Sequence, residues 1–177
     1  CRAATVLEGP VRRAVSAHKD GGRTDLRAEL AGLLATVLVG VLAEDAVVRA
    51  ALGAGAPVLA VPVPQAGRAG GRRGEDPVAA LSAAALVLLD DPRVRLHRPL
   101  RHARRVTDQS RLGRSARAAN LRGALTVAPG AGTLLEGAVC VVLDDVVTTG
   151  ATLAEAERAL RAAGARHVVA AVVAATP

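Results

Sequence analysis

The sequence predicts an α/β fold, a mainly parallel sheet covered by helices on both faces, and three observations carry that reading. Runs at 56–64 (APVLAVPVP), 123–129 (GALTVAP), 137–145 (GAVCVVLDD) and 166–174 (RHVVAAVVA) are mostly apolar at consecutive rather than alternate positions, as in strands buried on both faces. Stretches of helical pattern lie between these runs, and apolar strands that alternate with helices build parallel sheets. The chain has 177 residues, 51% hydrophobic and 22% charged, enough for one domain with a real core and too apolar for disorder. A single domain over 1–177 is expected, with a helical N-terminal part (1–45) and an α/β core (56–177).

The elements follow in order. Helices are expected over roughly 8–20 and 24–43, parted by the paired glycines of HKDGGRTD, with Thr24 or Asp25 capping the second. The nearly uncharged run 30–43, 14 residues long, is too short to cross a bilayer and suits a core helix. Residues 56–64 read as a strand running into a proline-punctuated loop, and 65–75 (QAGRAGGRRGE) as a basic turn. Asp76 followed by Pro77 is a cap and a first-turn proline, opening a helix that ends near Leu89, before DDP. RVRLHRPL (93–100) alternates polar and apolar residues, as a strand with one wet face does. A short helix is expected over 115–120, followed by the strands at 123–129 and 137–145. Thr152 and Glu155 have capping-box spacing, and Leu153, Ala156, Leu160 and Ala163 give the next helix one apolar stripe. Gly164 ends that helix before the final strand.

Composition narrows the partners. A formal charge of +7, carried almost wholly by arginine, favours polyanions: nucleic acid, acidic lipid or a phosphorylated small molecule. Phe, Tyr, Trp and Met are absent, so Leu, Val and Ala must fill the core. With no Met the chain does not start at its own initiator, and a missing N-terminal piece is expected. No basic, apolar leader opens the chain, which makes the cytoplasm its default address. Cys1 and Cys140 are too few for a disulfide framework or a metal site, and Cys140 lies inside an apolar strand. His18, His97, His102 and His167 show no metal spacing.

One stretch carries chemistry. In VVLDDVVTTGATLAE (141–155) an apolar strand ends in Asp144 and Asp145, and Thr148, Thr149, Gly150 and Thr152 lead into a helix. Ligands of parallel α/β folds bind beyond the carboxyl ends of the strands. A helix start offers free N–H groups and the positive end of the dipole to a phosphate, and Gly150 lets the backbone approach closely. A phosphate beside two acceptors for sugar hydroxyls describes a ribose 5-phosphate site. Solvation of the strand end and plain helix capping are the competing reading.

VVLDDVVTTGAT resembles the phosphoribosyl diphosphate (PRPP) motif of type I phosphoribosyltransferases. AHKDGGR (17–23), VPVP (61–64), RRG (72–74) and RRVTDQSRLGRSARAANLRGAL (104–125) precede it in the order of the ComF-type competence proteins, and the resemblance covers nearly the whole chain. The resemblance implies a type I phosphoribosyltransferase fold, with Asp144 and Asp145 as the catalytic pair on the ribose hydroxyls. Thr148, Thr149, Gly150, Ala151 and Thr152 would cradle the 5-phosphate, and Gln65, Ala66 and Gly67 would form the pyrophosphate loop. The segment 101–114 would be a lid, with Arg104, Arg105 and Gln109 nearest the ligand. The implied reaction displaces pyrophosphate from C1 of PRPP by a nitrogenous acceptor, with Mg²⁺ arriving on PRPP and no direct protein ligand to the metal. Single-stranded DNA, other competence proteins and a second copy of the chain are the macromolecular partners it suggests. It also makes Cys1 either the last cysteine of a zinc ribbon absent here or an ordinary terminal residue.

The chain departs from that family in having no aromatic residue to stack an acceptor base, and Leu125 stands where the family usually has Phe. RGEDP likewise departs from the usual Arg-Gly-aromatic-Asn. Two other readings therefore stand beside the transferase. One is a non-catalytic PRPP or nucleotide sensor. The other is a DNA-uptake accessory using the ten arginines between Arg93 and Arg122. Lys19, the single lysine, fits a surface role as well as one at the site.

Overall fold

The computed structural model describes residues 1–19, 22–65, 76–103 and 123–177. The chain opens with a strand, β1 (Arg2–Val6), that the sequence reading lacks. This short, half-exposed segment becomes a strand because the last strand of the chain offers it a parallel partner, Arg2 opposite Ala171 and Val6 opposite Ala175. Helix α1 (Gly9–Lys19) follows, and a 3-10 turn (Thr24–Leu26) leads into α2 (Arg27–Glu44). A further helix, α3 (Ala46–Gly53), was also not foreseen. Asp45 starts it by leaving helical geometry and accepting the Val47 and Val48 N–H groups at 3.0 Å. Next come β2 (Val58–Pro62) and α4 (Pro77–Leu89), which Asp76 caps as expected through the Val78 and Ala79 N–H groups.

The expected strand 93–100 is two strands, β3 (Val94–Leu96) and β4 (Leu100–His102), and they belong to different sheets. Pro99 stands between them, where its missing N–H cannot carry a ladder onward. The strand expected over 123–129 is the short β5 (Leu125–Val127), which pairs with β4 outside the parallel sheet. A 3-10 turn (Gly132–Leu134) that the sequence reading lacks follows it. β6 (Val139–Val147), α5 (Ala151–Ala162) and β7 (His167–Ala175) lie close to expectation. The helix expected over 115–120 lies outside the described residues.

The main sheet is parallel throughout, in the order β1-β7-β6-β2-β3, and β4 and β5 form a separate antiparallel hairpin. Period-2 alternation along β6 divides the core into two layers. Val139, Val141 and Leu143 pack with Leu34, Leu38, Leu81 and Ala85 of α2 and α4. Cys140 and Val142 pack on the other face with Leu153 and Leu160 of α5 and with Leu100 and Leu125 of the hairpin. The α/β fold with a parallel sheet flanked by helices is thus the one expected.

With its preceding 3-10 turn, α2 makes an apolar helix of 21 residues, Thr24–Glu44, long and apolar enough by length and composition to cross a membrane. Here it serves as a core helix, burying Leu30, Ala31, Leu34, Ala35, Val37, Leu38 and Val41. The neighbouring strands β2 and β6 are left by helices on opposite faces, α4 toward β3 and α5 toward β7. That is a topological switch point, where open α/β sheets form a crevice at the carboxyl ends of their strands.

Candidate functional site

β2 and β6 pair in register from Val58–Val139 to Pro62–Leu143, and the Val63 N–H closes the ladder on the Leu143 carbonyl at 2.9 Å. β6 continues beyond that point against β7 alone, to Val147 opposite Ala175. Asp144 and Asp145 stand at this step, 5% and 3% exposed. The Asp145 N–H donates to Asp144 Oδ1 at 2.8 Å. Burial, and then the Asp145 carboxylate beside it, hold the Asp144 carboxyl well above the usual carboxylate range. Alternation puts Asp145 on the α1 side of the sheet, where Lys19 Nζ lies 3.2 Å from its Oδ2 and 3.4 Å from its Oδ1. His18, next to Lys19, is itself buried. Burial and then the Arg27 charge lower the His18 pKa, while Asp145 opposes them.

Beyond the strand, Thr148 and Thr149 are exposed and Gly150 takes φ 74°, a left-handed conformation that starts α5. Thr149 Oγ1 accepts the Ala151 N–H at 3.4 Å, and the Thr148 carbonyl accepts the Thr176 hydroxyl at 3.1 Å. Here the sequence reading needs correction. Gly150 is the N-cap, so Thr152 lies inside the first turn and no Thr152–Glu155 capping box forms. Glu155 instead turns toward the hairpin. It accepts the Leu125 N–H at 3.1 Å and two Arg158 bonds at 2.8 Å, and Arg158 Nη2 donates to the Leu125 carbonyl at 2.9 Å. Both polar groups of the Leu125 backbone are thereby tied to α5. The Leu125 side chain lies in the core layer beneath that helix, so the missing aromatic ring at this position is a matter of packing there.

The other strand of the hairpin is tied to the opposite side of the crevice. His102 Nε2 lies 3.0 Å from the Pro64 carbonyl, an acceptor only, so this nitrogen carries the proton. The Gln65 N–H donates to Asp76 Oδ2 at 3.2 Å, which brings Gln65 to the start of α4. Beside it lies a cavity of ≈ 330 Å³ lined by Pro62, Pro64, Asp76, Ala79, Arg98 and Leu100. Ala66, Gly67, Arg104, Arg105 and Gln109 lie outside the described residues. The structure thus brings together the acid pair, the threonine turn and Lys19, with Gln65 on the β2 side of the same switch point. Glu155, Arg158 and His102 are the residues whose placement sequence reasoning missed. Among the described residues no group of three or more His, Cys, Asp or Glu side chains could hold a metal ion.

A family model, the phosphoribosyl transferase domain, matches residues 75–177. The chain belongs to that family. The match takes in α4, the hairpin, the acid pair and the glycine turn of this phosphoribosyl transferase domain, and leaves β1, α1, α2, α3 and β2 outside it. Among solved structures the chain is similar to that of the allosteric regulatory enzyme of purine biosynthesis, with a TM-score of 0.50 and 18% identity. The likeness covers 83% of this chain and 26% of that one, so the phosphoribosyl transferase domain spans about a quarter of that protein's length. At this identity the likeness is one of fold. No curated protein matches the sequence.

Proposed function

We propose that this phosphoribosyl transferase domain binds PRPP with Mg²⁺ at the carboxyl end of β6 and passes its phosphoribosyl group to a nitrogenous acceptor. The observation that carries the reading is a buried acid pair followed directly by a glycine-started helix, at the switch point of a domain of this family. In this reading Asp144 and Asp145 accept hydrogen bonds from the ribose hydroxyls. Thr148, Thr149, Gly150, Ala151 and Thr152 hold the 5-phosphate with hydroxyl and backbone N–H donors. Gln65, with Ala66 and Gly67, approaches the pyrophosphate, and Arg104, Arg105 and Gln109 cover it. Mg²⁺ would arrive with PRPP as part of the substrate and would neutralise charge on the leaving pyrophosphate. The bond to C1 loosens before the acceptor nitrogen closes, so the protein's work is to orient the ribose, balance charge and exclude water. A protein nucleophile has no part in this scheme. The finer assignment, to the ComF branch with a link to DNA uptake, rests on the order of motifs along the sequence.

The test is calorimetric titration of PRPP with Mg²⁺ into the intact chain and into the double variant Asp144→Ala/Asp145→Ala, with ribose 5-phosphate as control. Saturable binding that the double variant loses is expected; no binding by the intact chain overturns the site. The absence of any Phe, Tyr or Trp favours a second reading, a PRPP sensor without turnover. Pyrophosphate release in the presence of a panel of nitrogen bases separates the two.

A further inference from the structure

Lys19 is the only lysine of the chain, and its contact with the acid pair has no part in the reaction scheme above. Its ammonium reaches Asp145 from the end of α1, in the part of the chain outside the family match. The two partners differ sharply in exposure: the Lys19 side chain is 37% exposed and the Asp145 side chain 5%. A flexible stem anchored at the rim therefore delivers a compact charge to a sealed carboxylate. Other charged or titratable groups face the same place. Asp144 lies beside Asp145, His18 precedes Lys19 on α1, and Arg27 at the start of α2 acts on His18.

Two adjacent buried carboxylates repel one another, and a proton on Asp144 relieves the repulsion. That proton also occupies the acceptor oxygens that the hydroxyls of a sugar diol require. Binding of the diol therefore favours release of the proton to solvent. A cation beside the pair favours that release, and Lys19 is placed to provide it. We propose that Lys19, through its contact with Asp145, is a positioning residue that sets the pH at which the acid pair is free of protons and accepts a sugar diol. The inference rests on the functional reading above. It assigns to α1, outside the family match, control over the acid pair that lies within it.

Two measurements test it separately from that reading. The first is a ¹³C carboxyl NMR titration of the unliganded chain, compared with Lys19→Met and Lys19→Arg. The Asp144 midpoint should rise by about one pH unit in Lys19→Met, the low end for loss of a neighbouring cation because Lys19 is partly exposed, and Lys19→Arg should restore most of it. An unmoved midpoint overturns the proposal whether or not any ligand binds. The second is calorimetry with ribose 5-phosphate and with PRPP plus Mg²⁺ between pH 6 and 9. Lys19→Met should lose about tenfold in affinity at the acid end and regain it as pH rises. A loss of equal size at every pH indicates a merely structural contact and overturns it too. If the intact chain binds neither ligand while the carboxyl midpoint still shifts, the diol site fails and the lysine–acid coupling stands. Lys19→Gln replaces Lys19→Met should the latter not fold.

Discussion

Asp144 is where function and stability pull against each other. Its carboxyl is raised by burial and by Asp145, so its folded value lies above its unfolded one. Such a group contributes its full stability below the unfolded value and loses it as pH rises through the folded value. Ionisation of Asp144 as pH rises through that folded value therefore weakens the fold. Asp144→Asn should stabilise the chain by about 1 kcal/mol at pH 8 and less at pH 5, while abolishing ligand binding. Thermal unfolding across that range measures it, and an equal effect at all pH values would count against a raised Asp144. The acid pair was legible because two carboxylates closing an apolar run are a local pattern. Its partner Lys19 was not, because 126 positions separate it from Asp145 and only folding brings the two together.

At the scale of elements, α5 serves two ends. Its start offers N–H groups to the crevice, and its middle grips the hairpin through Glu155 and Arg158. Gly150 at φ 74° makes the first possible, since an L side chain in that conformation costs about 1–2 kcal/mol. Gly150→Ala should cost that much in stability and weaken phosphate-bearing ligands by tenfold or more, with ribose showing no such loss. Glu155→Gln leaves Arg158 without its carboxylate, a loss of about 1–3 kcal/mol, and amide exchange at Leu125 should speed up accordingly. The Arg158 bond holds the Glu155 carboxyl below its usual range. Its contribution is accordingly present above the unfolded value and lost as pH falls through the folded one, so the hairpin should loosen in acid first. The capping box was misread for a physical reason. Spacing of three residues is necessary for it, but the residue that caps is decided by where the backbone enters helical geometry, and here that is Gly150, two positions before Thr152.

For the whole molecule, the parallel sheet sets both stability and geometry. Without aromatic residues the core depends on many small contacts, and α2 supplies much of one layer through Leu34, Leu38 and Val41, all fully buried. Leu38→Ala should cost about 2–5 kcal/mol and be felt at the site only through global unfolding. Ligand binding should feed back on stability: PRPP with Mg²⁺ at about one hundred times its dissociation constant adds about 2.7 kcal/mol, read as a shift in unfolding temperature. A variant lacking Asp144 and Asp145 should show no such shift.

The sequence by itself determined the fold class, the strands at 56–64, 137–145 and 166–174, the helix start at Asp76 and the helix end at Gly164, and the stretch that holds the acid pair and the glycine turn. These follow from local rules: consecutive apolar residues for doubly buried strands, a carboxylate before a proline for a helix start, a glycine where the chain must turn left-handed. Gly164 illustrates the last, with φ 99° and the Glu136 backbone 3.2 Å from where a Cβ would stand. Only the tertiary structure decided that residues 2–6 are a strand, that 93–100 divides between two sheets, that Glu155 clamps Leu125 and that Lys19 meets Asp145. Each of these depends on a partner distant in sequence. A pairing energy enters only once the sheet order brings the partners within hydrogen-bond or Coulomb range, and no local pattern records that order.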